Sequence, residues 1–237
     1  MKRVSRRLAA FKGSSVAERR SARLPKVFSI RELGAFERKS PELARLRAKV
    51  AAGQSGLSVY QRGDLGWSLP YYSAVVEALR KRGLVRGKSV LHVACRDGRL
   101  VHFLNKRGAK ASGVDIQALY VQLARSSGIR GVWQGDAFDL KGVANNSQHA
   151  VVLHHFAYSG FLNSGDEGRL LTVVRRKLKP NGCVVMDCFS NWEFLACLAG
   201  LREGSGKGVV TLAGGKWHAA VAPGGTGTLV VLRKLGR

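Results

Sequence analysis

Three aspartates stand where runs of apolar residues end, and their spacing suits the binding of a nucleoside. Asp97 lies in the segment Ala94–Gly98 after a first apolar run, and Asp115 ends a second run, 23 positions after His92. A carboxylate about 20 residues along from a first strand commonly accepts the hydrogen bonds of both ribose hydroxyls. Asp136, after a third run, could accept a bond from the exocyclic amine of an adenine. Taken singly, each fits a solvated loop aspartate equally well; together they predict a site.

The stretch VLHVACRDGRL, residues 90–100, passes from an apolar run to a helical periodicity that begins at Leu100. The small residues Ala94 and Gly98 would let the backbone approach a ligand, and the helix N-terminus would offer free N–H groups. One alanine and one glycine make a weak motif, so an ordinary strand-to-helix turn remains an alternative.

Strands and helices alternate from about residue 68. Ser68 and Pro70 are expected at the start of a first helix, which Gly83 ends. Five strands are predicted, at 89–94, 111–116, 131–135, 149–155 and 183–189, with helices near 100–106, 118–124, 167–178 and 192–201.

This alternation predicts an α/β fold with a doubly wound, mostly parallel sheet. Two further extended runs, 216–223 and 228–235, flank a stretch that contains Gly224 and Gly225. They predict an antiparallel C-terminal hairpin that closes a seven-stranded sheet. Residues 54–237 would form this domain.

From Tyr71 to Arg233 the sequence resembles class I S-adenosylmethionine-dependent methyltransferases. The most specific likeness is LKPNG, Leu178–Gly182, where a helix ends at a turn before a buried strand. The other segments that resemble family motifs are VLHVACRDG, GVDI, WQGDAFDL and HAVVLHHFAYSG.

The resemblance implies S-adenosylmethionine as cofactor and a role for each matching residue. Backbone groups of the first loop would line the methionine part, Asp115 would bind the ribose, and the segment after the third strand would hold the adenine. His154 and His155 would face the transferred methyl group. The full cofactor-binding set is His92, Ala94, Arg96, Asp97, Gly98, Asp115, Ile116, Asp136 and Ala137. No metal site is implied.

The sequence departs from the family pattern at three positions. His92 replaces an acidic residue that orders the loop, and Asp97 is expected to supply that negative charge instead. Arg96 occupies a glycine position, which predicts a side chain that points away and a negative φ. His149 stands where an aspartate often begins the fourth strand. Two acid-to-histidine changes in one site region would favour a decayed site.

Charge is the strongest global signal. The chain carries 40 Lys and Arg against 15 Asp and Glu, a formal net charge of +25. Such a charge attracts polyanions, and RNA is the expected partner, with a merely basic surface or an anionic membrane surface as the alternatives. Ribosomal RNA, in a ribosome or an assembly intermediate, is the first candidate. No apolar run approaches the roughly 18 residues that cross a bilayer.

Residues 1–53 form a basic extension with a short helix predicted at 41–53. Up to residue 30 it holds nine basic residues and one acidic residue, Glu18. An Arg-rich transit peptide for the mitochondrion, an RNA-binding arm and a solvated tail all fit; a cytoplasmic or nucleolar protein is the alternative location. The four cysteines form no C-x-x-C pair, which predicts reduced thiols and no zinc.

Three functions remain open on the sequence. The chain would be an active methyltransferase on RNA, a degenerate methyltransferase-like protein with a structural or assembly role in a ribosome, or a small-molecule methyltransferase.

Overall fold

The computed structural model describes residues 64–153, 166–187, 207–212, 215–223 and 228–235. The predicted basic extension and the helices predicted at 41–53 and 192–201 lie outside the described residues. Within the described part, no helix combines the length and apolar character needed to cross a bilayer.

Helices and strands alternate in the predicted order. The helices are α1 (Asp64–Arg80), α2 (Arg99–Lys106), α3 (Ala118–Ser126) and α4 (Asp166–Lys177). The strands are β1 (Ser89–Val93), β2 (Lys110–Asp115), β3 (Val132–Gln134), β4 (Gln148–Leu153), β5 (Leu178–Asp187), β6 (Lys207–Leu212), β7 (Gly215–Pro223) and β8 (Thr228–Lys234).

All eight strands join one sheet in the order β3-β2-β1-β4-β5-β8-β7-β6. Strands β1 to β5 are parallel, and β8 pairs antiparallel with both β5 and β7. The doubly wound, mostly parallel sheet and its closing hairpin are therefore confirmed. Strand β6 was not predicted; it adds an eighth strand by pairing antiparallel with β7. Its apolar run, Val209–Leu212, is short and has glycines on both sides, so its strand conformation depends on the pairing.

Helix α1 begins at Asp64 and not at Ser68, so the predicted cap was wrong. Ser68 and Pro70 lie in the second turn of the helix. A proline at an interior helical position removes one backbone hydrogen bond. Packing offsets this cost, because the following turns bury Tyr72, Val75 and Leu79 against the sheet.

The sheet separates two apolar cores. Helices α1, α2 and α3 cover the face that carries Val90, whereas α4 covers the face that carries Leu91 and Val93. The alternation along β1 follows from the two-residue period of a strand, and both faces are apolar because helices lie on each. Each fully buried Val or Leu side chain contributes about 1.5–3 kcal/mol of transfer free energy.

The LKPNG segment, predicted as a turn before the strand, forms the irregular start of β5 and requires its glycine. Asn181 has a φ of 61°, and a Cβ atom on Gly182 would lie 3.0 Å from the carbonyl oxygen of Lys179 and 3.2 Å from that of Gln148. Backbone atoms cannot move aside as a flexible side chain can. This segment thereby brings the rest of β5 against β4, at the point where the register between the two strands shifts.

Candidate functional site

The carboxyl ends of β1, β2 and β3 meet at one edge of the sheet. Val93 pairs with Val114, and Asp115 pairs with Gln134, so the segments that follow these strands lie side by side. The chain then returns to β4, on the other side of β1. This reversal of strand order opens a crevice, which is where ligands bind in open α/β sheets.

Asp115 holds the loop 94–98 in place. Its Oδ2 accepts the backbone N–H of Arg96 at 2.8 Å, and its Oδ1 accepts that of Gln117 at 2.9 Å. Burial raises the pKa of this carboxyl, and the two N–H donors oppose that shift. Asp115 thus orders the loop, the role that the missing acid at position 92 was expected to have. Each carboxylate oxygen has two lone pairs, so both oxygens can also accept a ribose hydroxyl.

The loop backbone adopts the left-handed conformation three times. Ala94 has a φ of 55°, Arg96 of 53° and Gly98 of 70°. The prediction of a negative φ at Arg96 was wrong, because its N–H must turn toward Asp115. The guanidinium lies over the ring of Tyr120, 5.6 Å from the ring centroid. Tyr120 had not been predicted as part of the site.

Asp97 forms a buried ion pair that the sequence analysis missed. The Nε of Arg99 donates to its Oδ2 at 2.6 Å, and both residues are buried. Burial alone would raise the pKa of Asp97, but the Arg99 guanidinium outweighs it and holds the pKa below the usual range. The Asp97 charge is therefore paired within the loop and does not simply replace an acid at position 92.

Cys95 holds the loop against β2 through a backbone hydrogen bond and close side-chain packing. Its N–H donates to the carbonyl of Val114 at 3.0 Å, and a Cβ on Gly113 would lie 2.6 Å from its Sγ. Burial raises the pKa of the Cys95 thiol far above its usual range. Cys95 and Cys183 are buried free thiols, as predicted; Cys188 and Cys197 lie outside the described residues.

Two exposed apolar side chains follow Asp115 along the chain. Ile116 is 67% exposed and Leu119 39% exposed, the only large apolar side chains of the described residues with such exposure. The side-chain amide of Gln134 donates to the carbonyl of Ile116 at 3.2 Å, which ties the ends of β2 and β3 together. Asp136 is exposed at the end of β3, and Ala137 is half-buried beside it. Exposed apolar side chains that follow Asp115, at the edge that also carries Asp136, fit an adenosyl group.

The histidines are not gathered at this edge. His92 is 1% exposed and points into the core beneath α1–α3, so a direct contact with a cofactor stays a prediction. His149 lies at the opposite edge of the sheet, where its Nδ1 accepts the N–H of Ser89 at 3.0 Å. The interpretation that two histidines mark decay of one site was therefore wrong for His149. His154 and His155 lie outside the described residues.

Comparison with known proteins agrees with this geometry. A family model described as a methyltransferase domain matches residues 91–186. These residues form a class I S-adenosylmethionine-dependent methyltransferase domain. The predicted cofactor, S-adenosylmethionine, is confirmed at the level of this family.

A curated relative, ribosomal RNA small subunit methyltransferase C of Chromohalobacter salexigens, is 33% identical over 106 residues. The match covers 42% of this chain and 31% of the relative, so the chain spans about a third of that protein's length.

Solved structures show the same fold at low identity. A Pyrococcus horikoshii protein is 18% identical with a TM-score of 0.53, over 76% of this chain and 100% of its own. A methyltransferase of Aquifex aeolicus is 18% identical with a TM-score of 0.51, over 73% of this chain and 95% of its own.

Proposed function

We propose that this methyltransferase domain binds S-adenosylmethionine at the carboxyl edge of the sheet and transfers the methyl group to RNA, with ribosomal RNA as the first substrate to test. The observation that carries the cofactor half is Asp115, a buried carboxylate that orders a left-handed loop beside the exposed Ile116. The net charge of +25 supports the RNA half. The ribosomal RNA methyltransferase among its relatives agrees with it.

The residues at the edge would bind and orient. Asp115 would accept the ribose hydroxyls, Ile116 would cover one face of the adenine, and Asp136 would accept its amine. The N–H groups at the start of α2 would line the methionine part. The cofactor supplies an already activated methyl on a sulfonium, so the protein needs mainly to align the acceptor and exclude water. His154 or His155 would act as general base for a hydroxyl acceptor.

Calorimetric titration of S-adenosylmethionine into the full chain tests the cofactor half. We expect a saturable heat with a stoichiometry of one. No heat at millimolar cofactor would overturn the proposal and leave a methyltransferase fold without its ligand.

A second function has a specific observation in its favour. Arg96 occupies a strained backbone position that glycine would fill freely, and its guanidinium places a positive charge beside the site of a cationic sulfonium. A non-catalytic protein that binds ribosomal RNA as a structural or assembly component would tolerate this. Such a protein would bind RNA with the same salt dependence but release no heat with the cofactor. If the chain, purified from its source, sediments with ribosomal particles, that would support a ribosomal partner for either function.

A further inference from the structure

The charges of the described residues are divided between the two edges of the parallel sheet. At the amino-terminal edge, four helix-to-strand connections enter β1, β2, β3 and β5. They hold five basic residues in 80–88, three in 106–110, two in 125–130 and four in 175–179, and no acidic residue. We call these four connections the basic edge.

The opposite edge has the reverse composition. The strand-to-helix connections at 94–98 and 115–117 and the segment 135–139 hold four acidic residues and one basic residue, Arg96. Parallel strands all begin at the same edge of the sheet, so every helix-to-strand connection lies at that edge. The fold therefore gathers charges that are scattered along the chain into two separate surfaces.

Helix dipoles account for only part of the basic edge. A cation gains stabilisation from the dipole in the last turn of a helix, and the effect fades beyond that turn. Lys88, Lys110 and Arg130 lie after the helices, at or next to the start of a strand. Repulsion among so many like charges costs stability, so a gain outside the fold is the better explanation.

Backbone carbonyls hold two of the basic side chains at this edge. Arg82 donates to the carbonyl of Ala78 at 2.8 Å and Lys177 to that of Val143 at 2.8 Å, which positions their charges without neutralising them. Glu77, one turn earlier in α1, forms ion pairs with Arg80 at 2.7 Å and with Lys81 at 3.8 Å.

The antiparallel strands lengthen the same surface. Because β8 runs against β5, Arg233 lies opposite Cys183, near the start of the buried part of β5. Lys216 lies at the start of β7, and Arg175 donates to its carbonyl at 2.9 Å. Neighbouring strands lie about 4.8 Å apart, so the five parallel strands alone spread the charge over roughly 19 Å.

We propose that the basic edge binds the phosphate backbone of the RNA substrate, on the side of the sheet opposite the cofactor. This proposal rests on the proposed function and names the surface that the RNA would use. A strand of five residues separates the two edges by roughly 17 Å. A substrate that contacts both edges must therefore be a large folded RNA, and a free nucleoside or small molecule would not reach.

The test compares full-length variants that each lose two charges. Lys106→Gln with Lys110→Gln and Arg125→Gln with Arg130→Gln remove exposed cations from the basic edge. The matched control, Arg169→Gln with Lys141→Gln, removes two exposed cations elsewhere. Arg169 lies over the ring of Phe138, and Lys141 pairs with Asp139. Affinity for a labelled RNA hairpin is measured by fluorescence anisotropy across a salt series, and cofactor heat is measured on every variant.

We expect each two-site variant of the basic edge to bind the hairpin roughly 3- to 10-fold more weakly near 0.1 M salt, with a slope of log K against log salt shallower by about 1.5. The control keeps the wild-type affinity and slope, and all variants keep the cofactor heat. Equal losses in edge and control variants would overturn the proposal, because net charge alone would then explain them.

Wild-type affinity in the edge variants would also overturn it, and would place the RNA on another surface while the proposed function stands. Failure of the wild-type chain to bind the hairpin would overturn both.

Discussion

At the scale of single residues, one carboxylate holds the loop and would also bind the proposed cofactor. Asp115 is only 6% exposed, and each of its carboxylate oxygens accepts one backbone N–H, from Arg96 and from Gln117. A buried carboxylate of this kind is costly unless its hydrogen bonds are made. The loop conformation and the cofactor site therefore depend on the same side chain.

Replacing Asp115 with alanine should abolish measurable cofactor heat and leave RNA affinity nearly unchanged. The variant also loses two charge-assisted hydrogen bonds, so its free energy of unfolding should fall by about 2–4 kcal/mol. Calorimetry, anisotropy and denaturant unfolding measure the three quantities. Asp136→Ala, which removes an exposed carboxylate, serves as the control for stability. Equal loss of RNA and cofactor binding would mean that the substitution unfolds the domain.

Backbone strain at Arg96 can be measured with two substitutions. Both Arg96→Ala and Arg96→Gly remove the guanidinium from Tyr120, but only alanine keeps a Cβ at a φ of 53°. The left-handed conformation costs about 1–2 kcal/mol with a Cβ, and the greater freedom of unfolded glycine offsets about 0.4–1 kcal/mol.

The glycine variant should therefore be more stable than the alanine variant by about 0.5–1 kcal/mol in denaturant unfolding. The reverse order would show that the loop is not left-handed in solution.

At the scale of elements, the site depends on how closely the loop packs on β2. A Cβ on Gly113 would lie 2.6 Å from Sγ and 2.7 Å from Cβ of Cys95. Real Cβ contacts are never that short, so one of the two segments would have to move. Because the backbone N–H of Cys95 is hydrogen-bonded to the carbonyl of Val114, a displaced loop would move the strand with it.

Gly113→Ala should lower the free energy of unfolding by about 1–3 kcal/mol, the usual cost of overpacking. It should also weaken cofactor binding, because the displaced loop carries the N–H that Asp115 accepts. Cys95→Gly in the same chain should restore part of both losses. Additive effects of the two substitutions, measured in a double-mutant cycle, would contradict a direct contact.

The pairing of β4 with the start of β1 should depend on pH through His149. Burial, together with Lys179 and Lys88, lowers its pKa below 6.5, and its neutral ring accepts the N–H of Ser89. The unfolded chain therefore takes up this proton more readily than the folded chain does. Stability should fall as the pH drops through 6.5 toward the folded pKa, by at most about 1.4 kcal/mol per pH unit from this residue.

His149→Gln should remove that part of the slope in denaturant unfolding at several pH values. An unchanged slope in His149→Gln would assign the pH dependence to another group.

At the scale of the whole molecule, the separation of charge has a cost that can be observed. Fourteen basic residues in four connections repel one another when the chain is free. Salt screens this repulsion over a Debye length of about 10 Å at 0.1 M. The same surface that would attract RNA should therefore destabilise the fold at low ionic strength.

The four-site variant Lys106→Gln, Lys110→Gln, Arg125→Gln and Arg130→Gln should be more stable than the wild type at low salt, by roughly 1 kcal/mol, since each exposed charge interaction carries about 0.2–1 kcal/mol. The difference should vanish near 1 M salt. Thermal unfolding across a salt series measures it. A variant that is less stable than the wild type at low salt would show that these cations stabilise the fold.

The sequence by itself determined the order and type of the elements, because hydrophobic periodicity is local and strong on buried strands. Strands β1, β2 and β4 and helices α2 and α4 begin within about one residue of their predicted starts. The family motifs placed Asp115 and the loop correctly for the same reason: both directly follow buried runs. The start of helix α1 was predicted four residues late and strand β6 escaped prediction, because packing and strand pairing outweighed local preferences there.

Only the tertiary structure decided which residues meet. Asp97 faces Arg99, Arg96 turns its N–H to Asp115, and His149 lies a full strand away from the loop. Parallel register and right-handed crossovers set these contacts, and neither can be seen in the spacing of residues along the chain. The same two properties separate the basic edge from the cofactor edge, a division that the net charge of +25 does not reveal.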